Sequence, residues 1–201
     1  MKRPAIAGAI WAALCLVPMS TLAEPAGGAF GSRLAEAALA RTRHAVAYDG
    51  SYQRLDYPGG DVAPDRGVCT DVIIRSYRAL GVDLQKHVHE SMRAEFSRYP
   101  NRWGLTRPDR NIDHRRVPNL RTFFRLNGEA MEPSHDPGDY RPGDLVTWEL
   151  GGSLPHIGIV ANERSPDGER PLVVHNVGEG PKLEDVLFAY AMTGHYRYRD
   201  D

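Results

Sequence analysis

The chain has 201 residues, 41% of them hydrophobic, and its 25 Lys and Arg nearly balance 26 Asp and Glu to a net charge of −1. That composition excludes wholesale disorder and argues against a dedicated nucleic-acid binder, which carries a basic surplus. One domain is the natural expectation for this length, with enough apolar side chains to fold without metals or disulfides.

The first segment reads as an address. Lys2 and Arg3 precede an uncharged apolar run from Ala5 to Val17, and Thr21-Leu22-Ala23 offers small residues where a signal peptidase reads. The layout is that of a secretory signal peptide over residues 1–23, too short to span a bilayer. Leu14 before Cys15 does not fit a lipid-attachment box. The expectation is a periplasmic or secreted mature chain, residues 24–201, forming a single catalytic domain with no stable membrane insertion. Removing the signal takes Lys2 and Arg3 with it and leaves 23 basic against 26 acidic residues, a net charge of −3, and one cysteine, Cys69. One thiol cannot make an internal disulfide, so Cys69 is a buried small hydrophobe, a reactive thiol or an intermolecular link. A lone thiol in an oxidising compartment points towards use.

Residues 32–47 are predicted helical, with Ser32 as cap and Leu34, Ala37, Ala38, Leu39 and Ala45 as a partial stripe. Four glycines and two prolines make residues 48–67 a long loop. Val68, Val72, Ile73, Tyr77 and Leu80 then recur at helical spacing before Gly81. Residues 85–98 form another predicted helix with Val88, Met92 and Phe96 on one face. Residues 100–118 read as loop, and 119–126 as a short helix capped by Asn119. After Pro142 the pattern changes to short β-type runs at 145–148, 157–160, 172–175 and 186–190, with 195–199 as a last strand. Helices first and strands second predict an α+β domain with helices packed on an antiparallel sheet.

Cys69 falls at the start of a predicted helix, where backbone N–H groups and the helix dipole favour a thiolate, with Arg66 as a nearby cation. His156 opens one predicted strand and His175 ends another. A Cys–His nucleophile needs a base in reach and a third group to orient it, and a helix start facing two adjacent strands can supply that. From spacing alone, each of the three residues is equally readable as structural. There is no His-Glu-x-x-His run and no Cys-x-x-Cys pair, and in His87-Val88-His89-Glu90 the two histidines do not share a helix face. No metal and no cofactor are expected.

Gly67-Val68-Cys69-Thr70-Asp71-Val72-Ile73-Ile74 through Leu80-Gly81-Val82 resembles the nucleophile helix of the NlpC-type, papain-like cell-wall cysteine peptidases. Pro142-Gly143-Asp144-Leu145-Val146 is similar to their Pro-Gly-Asp-Leu turn, and Pro155-His156-Ile157-Gly158-Ile159-Val160 to the strand carrying their base. Val173-Val174-His175-Asn176 is similar to the next strand, and Tyr57-Pro58-Gly59-Gly60 to an upstream Tyr-x-x-Gly-Gly segment. The blocks occur in the family's order over residues 57–177. More closely, the mature chain resembles exported bacterial proteins catalogued as domain of unknown function 1287. There are departures: Val68 stands where the family has Asp, Thr70-Asp71 where it has Ser-Gly, and the span from Cys69 to His156 is longer than most such enzymes need.

The resemblance implies an NlpC-type fold with Cys69 as nucleophile, His156 as general base and His175 as its orienting group. Asn176 is the competing third member, since adjacent strand residues face opposite ways. Tyr57 is a possible hydroxyl donor to the oxyanion hole, and Asp71 either orients a substrate amine or favours the first helical turn. It further implies hydrolysis of an amide in peptidoglycan stem peptides, with no nucleic-acid partner. A non-enzymatic cell-wall binder and an acyltransferase or transpeptidase with the same triad are the alternatives, and the oligomeric state is left open. Residues 101–116 hold five arginines and Trp103. They read either as a solvated charged loop or as a flap reading substrate carboxylates through Trp103, Arg107, Arg115 and Arg116.

Overall fold

Short, nearly continuous apolar runs, buried on both faces, and paired register give the second half of the chain its sheet. The structure, a computed structural model, describes residues 26–200; the segment read as a signal peptide lies outside them. Strands β4 (Leu145–Leu150), β5 (Leu154–Arg164) and β6 (Pro171–His175) form the centre of an antiparallel six-stranded sheet. Strand β7 (Lys182–Glu184) lies outside β6, and β8 (Ala191–Arg197) with β3 (Glu129–Met131) completes the other side. The helices α1 (Ala26–Arg41), α2 (Cys69–Ala79), α3 (Leu84–Ala94) and α4 (Val117–Asn127) precede it. The architecture is therefore α+β with an antiparallel sheet, as the pattern predicts.

The two faces of the sheet bury different residues because side chains alternate along a strand. Leu145, Ile157, Ile159 and Val174 join Leu34, Val72, Ile73, Tyr77, Leu120 and Phe124 of the helices in the main core. Val146, Trp148, Val160, Val173 and Leu187 form a second, smaller core with Tyr140. Fully burying each such side chain contributes roughly 1.5–3 kcal/mol before entropy is counted.

Several expected boundaries move. Helix α1 begins and ends six residues earlier than the 32–47 prediction, so Ser32 lies inside it and is not its cap. Gly31 lies inside the helix and serves close approach: a Cβ there would sit 2.4 Å from the carbonyl oxygen of Pro142, across from Gly143, whose φ is +84°. Asn119 is not a cap either; α4 starts two residues before it with Pro118 in the first turn, and its Nδ2 donates to the Asp113 carbonyl at 3.1 Å. The 186–190 run is a turn, not a strand, with Ala189 N–H donating to Val186 C=O. Its apolar character comes from capping the second core: Leu187 is fully buried and its carbonyl accepts from Trp148 Nε1 at 2.9 Å. The last strand is 191–197 rather than 195–199.

Candidate active site

Cys69 is the first residue of α2. Val68 ahead of it is extended and has no side-chain acceptor to cap the helix. Asp71 compensates from within the first turn, its Oδ2 accepting the Val68 N–H at 2.7 Å. The same carboxylate takes two hydrogen bonds from Arg115, Nε to Oδ1 and Nη2 to Oδ2, each at 2.9 Å, and both side chains are almost completely buried. Arg115 also donates to the carbonyls of Asp49 and Ser51, at 3.1 and 3.3 Å, while its own carbonyl accepts from Thr70 Oγ1 at 3.1 Å.

The thiol is 5% exposed. Burial pushes it up to about 12, with the charge of Asp71 adding to the rise, against the opposing pull of the Ile157, Thr70 and Cys69 backbone N–H groups. The N–H groups act as expected of a helix start, but burial outweighs them. The resting sulfur is thus a neutral thiol, not the stabilised thiolate expected from sequence. Arg66, expected to lend a cation, spends its charge on Asp49 at 2.8 Å. The hydroxyl beside the sulfur belongs to Tyr48, in the two-residue strand β1 (Ala47–Tyr48) that pairs with Arg66–Gly67. Burial, reinforced by Cys69 and Asp71, raises the Tyr48 hydroxyl to about 12.

Two imidazoles and a carboxylate form a chain across β5, β6 and β7. Nε2 of His156 lies 2.9 Å from Nδ1 of His175, and Nε2 of His175 lies 2.8 Å from Oε2 of Glu184. Register explains the meeting: His175 pairs with Lys182 and Val173 with Glu184, so His175 and Glu184 are diagonal neighbours on one face. Gly158 keeps that face open, since a Cβ there would stand 3.2 Å from the Cβ of His175. Trp148 stacks on His156 with ring centroids 5.9 Å apart. Burial, helped by the neighbouring His175, lowers His156 to about 3, and burial also lowers His175 although Glu184 opposes it. Cys69 meets this strand at Ile157, whose N–H faces the sulfur and whose side chain packs in the same core.

The remaining expected residues divide cleanly. Of the two competing third members, His175 is hydrogen-bonded to His156; Asn176 folds back instead, its Oδ1 accepting the Gly178 N–H at 3.0 Å. Tyr57 packs edge-on against His89, with Arg110 over its ring. Asp71 and Arg115 neutralise each other in the interior, so neither is open to a substrate amine or carboxylate, which corrects both expectations. Arg116 is held by Asp113 at 3.0 Å and lies 3.8 Å above the Trp103 ring. Trp103 and Arg107 are exposed. Among the described residues no group of His, Cys, Asp and Glu is arranged to hold a metal ion.

Sequence reasoning missed Tyr48, Glu184 and Trp148. For Trp148 the strand register gave a usable signal, because it stands directly opposite His156. Tyr48 lies in a glycine-rich stretch and Glu184 in a three-residue strand, and neither carries a local pattern.

The fold and site define an α+β protein with a buried cysteine at a helix start, beside a strand whose histidine leads into a His–His–Glu chain. The chain belongs to the family described as Domain of unknown function (DUF1287), which it matches over residues 35–198. It is 54% identical over 151 residues to "Uncharacterized protein YijF" of Escherichia coli (strain K12), covering 75% of this chain and 73% of that protein. Two solved structures from Trichomonas vaginalis are similar to it. NlpC1 has a TM-score of 0.47 and 16% identity, covering 86% of this chain and 45% of that one. NlpC2 has a TM-score of 0.45 and 14% identity, covering 90% and 49%. The chain thus spans about half the length of these two solved proteins.

Proposed function

We propose that the protein is a papain-like, NlpC-type cysteine amidohydrolase acting on peptidoglycan stem peptides. The observation that carries this reading is the His156–His175–Glu184 chain, with both imidazoles buried, on strands of which β5 meets Cys69 at Ile157. With Nε2 of His156 engaged by His175, Nδ1 is the nitrogen left to take the thiol proton. The thiolate then attacks the amide carbonyl, the amine leaves with the proton from His156, and water resolves the acyl-enzyme. The Cys69 N–H and the Tyr48 hydroxyl are the donors for the oxyanion. Thiol and imidazole are both neutral at rest, so the proton passes from sulfur to Nδ1 in the reaction itself. Motifs in the order Cys69, Pro142-Gly143-Asp144, His156, His175 support the reading.

Digestion of purified peptidoglycan, with products read by mass spectrometry, tests it. The wild-type mature protein should release new fragments and Cys69→Ala none. Fragments from both proteins, or from neither, would overturn the proposal. One observation favours a second reading, a non-enzymatic wall-binding protein: the sulfur is only 5% exposed, and that burial pushes the thiol up. That reading predicts wall binding without fragments from either protein.

We place the protein, on this reading, in the periplasm or outside the cell. The form recovered from the producing cells should begin at Glu24 on N-terminal sequencing. A form retaining Met1 would contradict export by cleavage.

A further inference from the structure

We propose that Glu184 is a positioning residue that sets the tautomers of both His175 and His156, leaving Nδ1 of His156 as the bare nitrogen. This deepens the hydrolase reading and rests on it for its consequence, though not for its test. A carboxylate only accepts hydrogen bonds. The 2.8 Å contact with Oε2 of Glu184 therefore requires a proton on Nε2 of His175. A neutral imidazole carries one proton, so Nδ1 of His175 is bare and must accept. Its 2.9 Å contact then requires a proton on Nε2 of His156, and the other nitrogen of that ring is bare in turn. One carboxylate at the end of the chain thus orders two rings. Both rings are neutral at pH 7, because burial lowers each of them.

The surroundings fit the assignment. Glu184 is 39% exposed while the ring it holds is 1% exposed, so the carboxylate keeps contact with water as it orders a dry imidazole pair. Lys182, the other charge facing His175, is tied to Glu179 and does not compete for Glu184. Trp148 closes the side of His156 against which it stacks. When the thiol ionises, the S–H bond breaks, its electron pair stays on sulfur and the proton forms an N–H bond at Nδ1 of His156. No other proton need move. With the opposite tautomer, Nδ1 would already hold a proton and could not act as base.

Glu184→Gln is the test, because an amide of the same shape can donate as well as accept. NMR of the imidazole nitrogens at pH 7 reads the tautomers without any substrate, so it stands even if the protein is no hydrolase. In the wild type, Nε2 of both His156 and His175 should be protonated and both Nδ1 atoms bare. In Glu184→Gln the single pattern should give way to a mixture or reverse. A wild-type His175 protonated at Nδ1 overturns the proposal without reference to the variant, and so does an unchanged pattern in a folded variant. Where peptidoglycan is cleaved, kcat should fall roughly 10- to 1000-fold with little change in KM. Unchanged kcat would count against the proposal even with the hydrolase reading intact.

Discussion

Replacing Arg115 by alanine is expected to destabilise the fold by roughly 3–5 kcal/mol, the range for stripping one partner from a buried ion pair. The loss follows from what is left behind. Asp71 would keep its carboxylate in the interior with only the Val68 N–H as a partner. The carbonyls of Asp49 and Ser51 would lose a donor as well. For a domain of this size the melting temperature should drop by roughly 10 °C. Asp71→Ala should cost a similar amount, because it strands the guanidinium instead. The double variant should cost clearly less than the two single losses added together, since no charge is then left alone. A single-variant loss below about 1 kcal/mol, or simple additivity in denaturant unfolding, would show that the pair does not brace the fold.

The same pair explains why Arg115, within the arginine-rich segment, is not legible from sequence. Read along the chain, residues 101–116 are polar and charged, the pattern of a solvated loop or a substrate flap. In three dimensions Arg115 runs inward and ties three pieces of the site together: the first turn of the Cys69 helix through Asp71, the stretch after Tyr48 through two carbonyls, and its own loop through Thr70. Partnership at a sequence distance of 44 residues leaves no mark in a local charge pattern. Asp71 gave half the signal, as an acidic residue in a first helical turn, but nothing pointed to its partner.

The elements with a clear period were legible. Apolar spacing in α2 and short β-type apolar runs in β4, β5 and β6 located Cys69, His156 and His175 on the elements that hold them. Where one local rule could be satisfied in two ways, the reading failed. The 186–190 run satisfies strand propensity, yet it turns because Leu187 is needed beneath Trp148. Ser32 satisfies the rule for a helix cap, yet it lies inside α1, which begins six residues earlier. Glu184 was invisible because its meaning lies in strand register: only pairing of β6 with β7 sets it diagonally across from His175. The protonation state of the sulfur failed for a different reason. The helix-start effect was read correctly, but burial has the opposite sign and the greater weight.

Acid should unfold this protein steeply, with His156 and His114 giving the largest contributions to the slope and His175 and His89, also lowered by burial, adding in the same direction. Burial holds His156 at about 3, assisted by His175, and holds His114 at about 3, assisted by Arg115. In the unfolded chain both take a proton near 6.5. The unfolded state therefore binds more protons between those limits, and stability is full above about pH 6.5 and lost as pH falls towards 3. By pH 4.5 each group should have removed roughly 2–3 kcal/mol, about 5 kcal/mol for the pair, against a total stability of about 5–15 kcal/mol for an ordinary domain. Asp113 works the other way: burial raises its carboxyl, so protonation relieves it as pH falls through the raised value. Asp167 and Asp185, held low by hydrogen bonds from Ser165 and Arg170, add to the loss only below their ordinary range. Urea unfolding at pH 7 and pH 4.5 measures the difference. His114→Gln keeps a polar side chain and removes one titration, so its pH difference should shrink by roughly 2–3 kcal/mol. A wild-type stability equal at the two pH values would contradict the slope, whatever the variant does. An undiminished slope in a folded His114→Gln would leave His114 without its assigned share. The burial that keeps His156 neutral at pH 7 is the same burial that makes its protonation in acid a cost to the fold.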